Sequence, residues 1–288
     1  MVDIQEQVPK RWRVARTLFK HAIQQPLLAI SVMIIATVII VSITAPWIAP
    51  YEPDQQTLLD RLQLPSSDHW LGTDHLGRDV LSRLMYAGRF SLTVTTIALL
   101  LSAILGTILG AISGRAGGLV DEFVMRTVDL LLAFPSEILA LLIASMIKPG
   151  ALTIVLAVLI TGWTTFARLA RASSLEVSAK EYVLAATSIG LRESAIIRRH
   201  ILPNILPPIL ALLFVRFGHL MLGIAGLSYL GLGAQPPTAD WGLMLADAQP
   251  YMQRVPTLVL APSGMIFVTA LSVTILGQAI SRKLDPAR

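Results

Sequence analysis

Arg216 and His219 stand three residues apart in LLFVRFGHLMLG, an otherwise apolar run. Charge in hydrocarbon is costly, so such residues face a cavity or a partner; both are assigned to a translocation path, with Met221 beside them. The competing reading is an Arg216 that snorkels to the headgroups or pairs structurally. Arg126 and Asp129 are also three apart and are expected to pair with each other on one helical face, in a structural role. His69 and His75 bracket Asp74. Imidazole and carboxylate suit nickel or zinc, but two scattered histidines are also ordinary loop residues.

Other chemistry is absent from the sequence. There is no GxxxxGK[ST] phosphate loop and no HExxH zinc site. Gly231-Leu232-Gly233 lacks the strand-turn-helix setting of a dinucleotide site. The chain has no cysteine, which excludes disulfides, thiolate metal sites and cysteine nucleophiles. No catalytic residue and no bound cofactor are therefore expected, and the chain is not expected to hydrolyse ATP.

The elements that must position these residues are membrane spans. Of 288 residues, 54% are hydrophobic and 14% charged. An average soluble domain carries about a quarter charged residues. Six segments are long enough to cross a bilayer, at 27–45, 90–113, 123–147, 151–170, 204–232 and 258–280. Pro135 in the third and the glycines of the fifth are places to bend or break. The fold expected is all-α, with six transmembrane helices.

Lys10, Arg11, Arg13, Arg16 and Lys20 precede the first apolar run, and most remaining Lys and Arg fall on the same side. This bias puts both termini in the cytoplasm. The net charge of +5 is read as setting orientation, with no nucleic-acid partner. The expected organisation is a cytoplasmic segment 1–26, a first span 27–45, an outer loop 46–89, a core 90–280 with an inner loop 172–203, and a cytoplasmic tail 281–288. Gly106, Gly110 and Gly114 line one helical face and read as a packing seam, within this subunit or with a partner.

The inner loop contains AATSIGLRESAIIRRHILPN, from Ala185 to Asn204. Ser178 and Glu181 fit a capping box that would start a helix over 179–189. Gly190 supplies a left-handed position that stops it. A second helix runs toward Leu202-Pro203, and Pro203 suits the first turn of the next span. By spacing alone the pair could lie flat among lipid headgroups or dock on another protein.

Ala185-Ala186, Gly190 and Leu202-Pro203 resemble the cytoplasmic loop of type I ABC importer permeases. The family's usual glutamate falls on Leu184, and an apolar position falls on His200. LGTDHLGRD at 71–79 resembles the signature of the "C"-type permeases that handle dipeptides, oligopeptides and nickel. So do MRTVD at 125–129 with Ala133 and Pro135, GLSYLGLG at 226–233 and PPTADWG at 236–242.

The resemblance implies a pore-forming subunit of the bacterial inner membrane, paired with a homologous second permease. Two ATPase subunits binding ATP and Mg would dock on the inner loop through Glu181, Ala185, Ala186, Gly190, Arg192, Leu202 and Pro203. An extracytoplasmic solute-binding protein would meet Asp74, Arg78, Asp79, Asp240 and Trp241. Alternatively the outer loop merely orients its span, with Asp79 as a helix cap and Trp241 as a membrane anchor. Small peptides, nickel and metal chelates are the implied cargo, and GHLML at 218–222 leans toward the metal branch. A self-contained transporter or channel, needing no ATPase, is the other reading of six spans.

Overall fold

The computed structural model describes residues 26–284. The cationic segment before Pro26 and the last residues of the tail lie outside that range. All the regular elements among the described residues are helical: α1 (Pro26–Ile48), α2 (Val80–Ala116), α3 (Gly118–Leu132), α4 (Ser136–Ser145), α5 (Ala151–Ser178), α6 (Glu181–Ser188), α7 (Glu193–Ile196), α8 (Leu202–Tyr229), α9 (Trp241–Ala248) and α10 (Thr257–Leu284). Five helical stretches among the described residues are long and apolar enough to cross a membrane, and α3 and α4, bent by 87°, reach that length and hydropathy only as a pair.

Pro135 is the reason for the bend. It offers no amide to the helix and restricts Phe134 before it, so the chain leaves α3 and restarts at Ser136. The expected break in the fifth segment does not occur. A π-helical turn at Ile197–Ile201 joins α7 to α8, so helix runs continuously from Glu193 to Tyr229. Pro203 therefore sits within a continuous helix, and the Asn204 side-chain amide closes onto the His200 carbonyl at 2.6 Å.

α2 is 37 residues long, about 55 Å at 1.5 Å per residue. It pairs most extensively with α5, and the glycine stripe explains how. A Cβ at Gly106 would stand 2.2 Å from the Trp163 carbonyl, at Gly110 2.2 Å from that of Ala167, and at Gly114 2.7 Å from that of Arg171. Two backbones touch along this row, and only glycine permits it. The seam is internal to this chain.

The same stripe carries α5 past the expected end of its span. Ala170, Ser174 and Val177 remain buried, and the Ser174 hydroxyl donates to the Ala111 carbonyl at 3.1 Å. The inner loop thus starts seven residues later than predicted, and the Ser178–Glu181 capping box does not form. Ser178 closes α5, its hydroxyl is buried without a partner, and Lys180 precedes α6 with no side-chain cap.

Candidate translocation cavity and coupling surface

The bend at Pro135 swings α4 away from the line of α3 and opens a cavity of about 680 Å³ between α4, α5 and α8. Arg216, His219, Leu220, Gly223 and Leu227 line it at helical spacing from α8, with Ser136 and Glu137 from α4 and Thr161, Thr164 and Thr165 from α5. Arg216 donates from Nη2 to the Thr165 hydroxyl. Arg216 and His219 thus share one cavity. Met221 does not reach it: at 1% exposure it lies on the other face of α8, in the core with Leu84 and Trp241. The helical period separates Met221 from the Arg216 face.

The inner loop folds as a helix closed by glycine. Gly190 has φ +78°, its amide donates to the Thr187 carbonyl at 3.0 Å, and the Leu191 amide reaches back to Ala186 at 3.1 Å. These two bonds satisfy carbonyls that the end of α6 would leave free. Val183 and Ala186 turn inward, so Ala186 supports the loop rather than its outer surface. Glu181, Leu184, Ala185 and Arg192 are exposed, as are Pro203 beyond them and Ile189 at 77%. Leu202 is half-buried against Ile201 and Ile205.

Arg115, at the last turn of α2, holds this loop from the side. Its Nε donates to Glu193 Oε2 at 2.6 Å, and Nη2 to Glu193 Oε1 and the Thr187 hydroxyl, each at 3.0 Å. One guanidinium therefore fastens both α6 and α7 to the end of α2.

At the other end of α2, the residues assigned to an outside protein are turned inward. Asp74 takes the Leu76 and Arg78 amides at 2.8 and 3.0 Å and Arg78 Nε at 2.6 Å. Arg83, 2% exposed, pairs with Asp74 and donates to the Pro53 carbonyl at 3.0 Å. Asp79 caps α2 through the Ser82 amide at 2.8 Å, as the sequence predicted, and also takes His69 Nδ1 at 2.9 Å. Asp240 caps α9 and accepts from Ser91 on α2 at 2.5 Å, while the Trp241 indole donates to the Leu84 carbonyl at 3.0 Å.

Direct contact with another protein is thus unavailable to Asp74, Arg78, Asp79, Asp240 and Trp241, all nine-tenths or more buried. Buried charge needs partners, and these groups find them within the loop. Burial pushes the Asp240 carboxyl above its ordinary range, partly offset by Ser91 and the Leu243 amide. The loop's outward face is Leu58, Leu59, Leu64 and Trp70. The two histidines take different partners: His69 packs on Tyr51, and His75 stacks on Tyr251. No group of three His, Asp or Glu able to hold a metal is found among the described residues.

Comparison with known proteins places this arrangement. The family described as "Binding-protein-dependent transport system inner membrane component" matches residues 106–286, well over half of the chain. The chain belongs to this family of transport permeases.

A second description, "N-terminal TM domain of oligopeptide transport permease C", matches residues 11–65 of the permease. The permease is 36% identical over 257 residues to the nickel transport system permease protein of Escherichia coli, covering 89% of this chain and 93% of that one. It is 36% identical over 275 residues to the dipeptide transport system permease protein of Alkalihalophilus pseudofirmus, covering 96% and 90%. In fold it matches an inward-facing methionine ABC transporter with a TM-score of 0.58, at 15% identity, over 70% of this chain and 96% of that one. The permease is thus a multi-pass inner-membrane subunit of an ABC importer of the peptide and nickel family. It is not itself an enzyme; an ATPase and a solute-binding protein are its partners.

Three residues of the permease's site escaped sequence reasoning. Neither Glu137 nor Thr165 belongs to a motif of its own, and Arg115 is in sequence one more cation of the orienting charge bias. For Glu137 the available signal was an acid two residues after a proline inside an apolar segment. Arg126 and Asp129 do not pair: Arg126 lies 3.9 Å from Glu122, while Asp129 accepts from Arg168 on α5 at 2.7 Å. Arg171 and Asp121, 2.5 Å apart, form a second tie between α5 and α3. Asp121 and Asp129 of α3 turn to the arginines that α5 offers in reach, while Glu122 stays with Arg126 of its own helix.

Proposed function

We propose that this permease forms half of a translocation pore with a homologous second permease, and that two ATPase subunits dock on its inner loop. ATP and Mg belong to those ATPases. Their closure pushes α6, and Arg115 carries the displacement into α2 and, through the glycine seam, into α5. The span pair then rocks between inward and outward access, while a solute-binding protein delivers cargo from outside. Both termini lie in the cytoplasm by the positive charge bias.

The observation that carries this reading is the paired character of the inner loop. Its side is fastened to α2 by Arg115, while Leu184 and Ile189 stay exposed with nothing of the described chain over them. An apolar surface beyond the membrane ends calls for a protein cover. The cavity's open flank, with Leu132, Phe134, Ile138 and Leu142 exposed, suits either lipid or the second permease.

For cargo we favour nickel or a metal chelate over a free peptide, from GHLML at 218–222 and the outer signature. The test is proteoliposomes holding the permease with its co-purified partners and binding protein. Uptake of radiolabelled nickel supplied with histidine should require ATP and exceed uptake of dialanine. Transport without an ATPase would instead make the chain a self-contained transporter.

A further inference from the structure

Arg216 and Glu137 carry opposite charges into one cavity and do not neutralise each other there. Thr165 and Arg216 are each the fifteenth residue of a 28-residue helix, and their side chains meet at the cavity wall. Glu137 enters at the same cavity from the first turn of α4, where the broken span exposes it. The ion pairs on this flank of the described chain join Arg126 to Glu122, Arg168 to Asp129 and Arg171 to Asp121. None of them includes Glu137 or Arg216, although both line the same cavity. A membrane charge without a partner is costly to keep, and a broken helix at mid-membrane is where transporters expose polar groups to cargo. Thr165 fixes the guanidinium without cancelling its charge. Around them the cavity wall is mostly apolar, from Leu220, Leu227 and their neighbours, so each charge acts through a weakly screening medium.

We infer that Glu137 and Arg216 form a two-ended cargo subsite that takes a molecule with a cationic end toward Glu137 and a carboxylate toward Arg216. A peptide's ammonium and a chelated divalent metal are two sources of the same cationic end. Arg216 offers a planar fork suited to carboxylate, and Glu137 an acceptor suited to either cation. The inference rests on the pore reading above and adds to it the residues that select charge.

The test uses the complete importer in proteoliposomes with its binding protein, and compares the wild type, Glu137→Gln and Glu137→Asp. Dialanine and nickel–histidine uptake are measured alongside ATP hydrolysis. Glu137→Gln should lower uptake about tenfold, the loss expected for a charge-assisted bond, with hydrolysis largely kept. Glu137→Asp should restore much of it. A fall confined to dialanine identifies the ammonium as the cationic end, and a fall confined to nickel–histidine identifies the metal. Unchanged uptake of both in Glu137→Gln overturns the subsite. So does a joint loss of uptake and hydrolysis that Glu137→Asp fails to restore, which marks a structural role. If the wild type shows no ATP-driven uptake, the pore reading itself falls and the subsite falls with it.

Discussion

Asp240 joins parts of the chain that lie far apart in sequence. Its carboxylate is 1% exposed, takes the Leu243 amide at 3.2 Å and holds Ser91 at 2.5 Å from 149 positions away. Asp240→Ala removes a helix cap and strands the Ser91 hydroxyl, so a loss of about 2 kcal/mol is expected, read as a lower melting temperature of the purified permease. Asp240→Asn keeps an acceptor in the same place and should cost less than half as much. Equal losses in the two variants would contradict this role. The family resemblance assigns Asp74, Arg78 and Asp240 to contact with a solute-binding protein, which would need them at the surface. Their burial depends on partners brought together by the fold, Arg83 and Ser91, which no local spacing reveals. The Asp79 cap was legible because capping needs only its own helix start.

At the scale of elements, the glycine seam and the inner loop are the two mechanical parts. Gly110→Ala would place a Cβ 2.2 Å from the Ala167 carbonyl oxygen, so α2 and α5 must separate. A destabilisation of about 1–3 kcal/mol is expected, as for overpacking. Gly264→Ala on α10 meets nothing within 4 Å and should be neutral or slightly stabilising in the same melting assay. The seam was legible because small residues at helical spacing have one physical use in lipid. The capping box failed because the seam itself extends α5 through Ser174 to Ser178, a tertiary effect that overrides a local signal. Arg115 was missed because one arginine at a helix end carries no signature until Glu193 and Thr187 fold against it. Glu193 is 62% exposed at its side chain, so Arg115→Ala should change stability by under about 1 kcal/mol. Its effect should fall on coupling, with cargo moved per ATP hydrolysed reduced about fivefold or more. The charge exchange Arg115→Glu with Glu193→Arg should restore part of it. A variant that keeps the wild-type ratio would remove Arg115 from the transmission path.

On the scale of the whole molecule, spans and their order were legible from hydropathy, since lipid enforces long helices with satisfied backbones. The cavity was not, because it depends on an 87° bend and on which helical faces meet around it. The central claim is that α6 is the surface on which an ATPase pushes, at the far end of α2 from the outer loop. The absence of native cysteine makes that claim directly measurable with one introduced thiol at a time. Leu184→Cys on α6 and Leu59→Cys on the outer loop, where the native leucine is 95% exposed, would be compared in the assembled importer using a short thiol-to-amine crosslinker. The account predicts a crosslink from Leu184→Cys to the ATPase subunit that changes with bound nucleotide, and none from Leu59→Cys. No crosslink at Leu184→Cys in an importer that still transports on ATP, or an equal crosslink from Leu59→Cys, would contradict it.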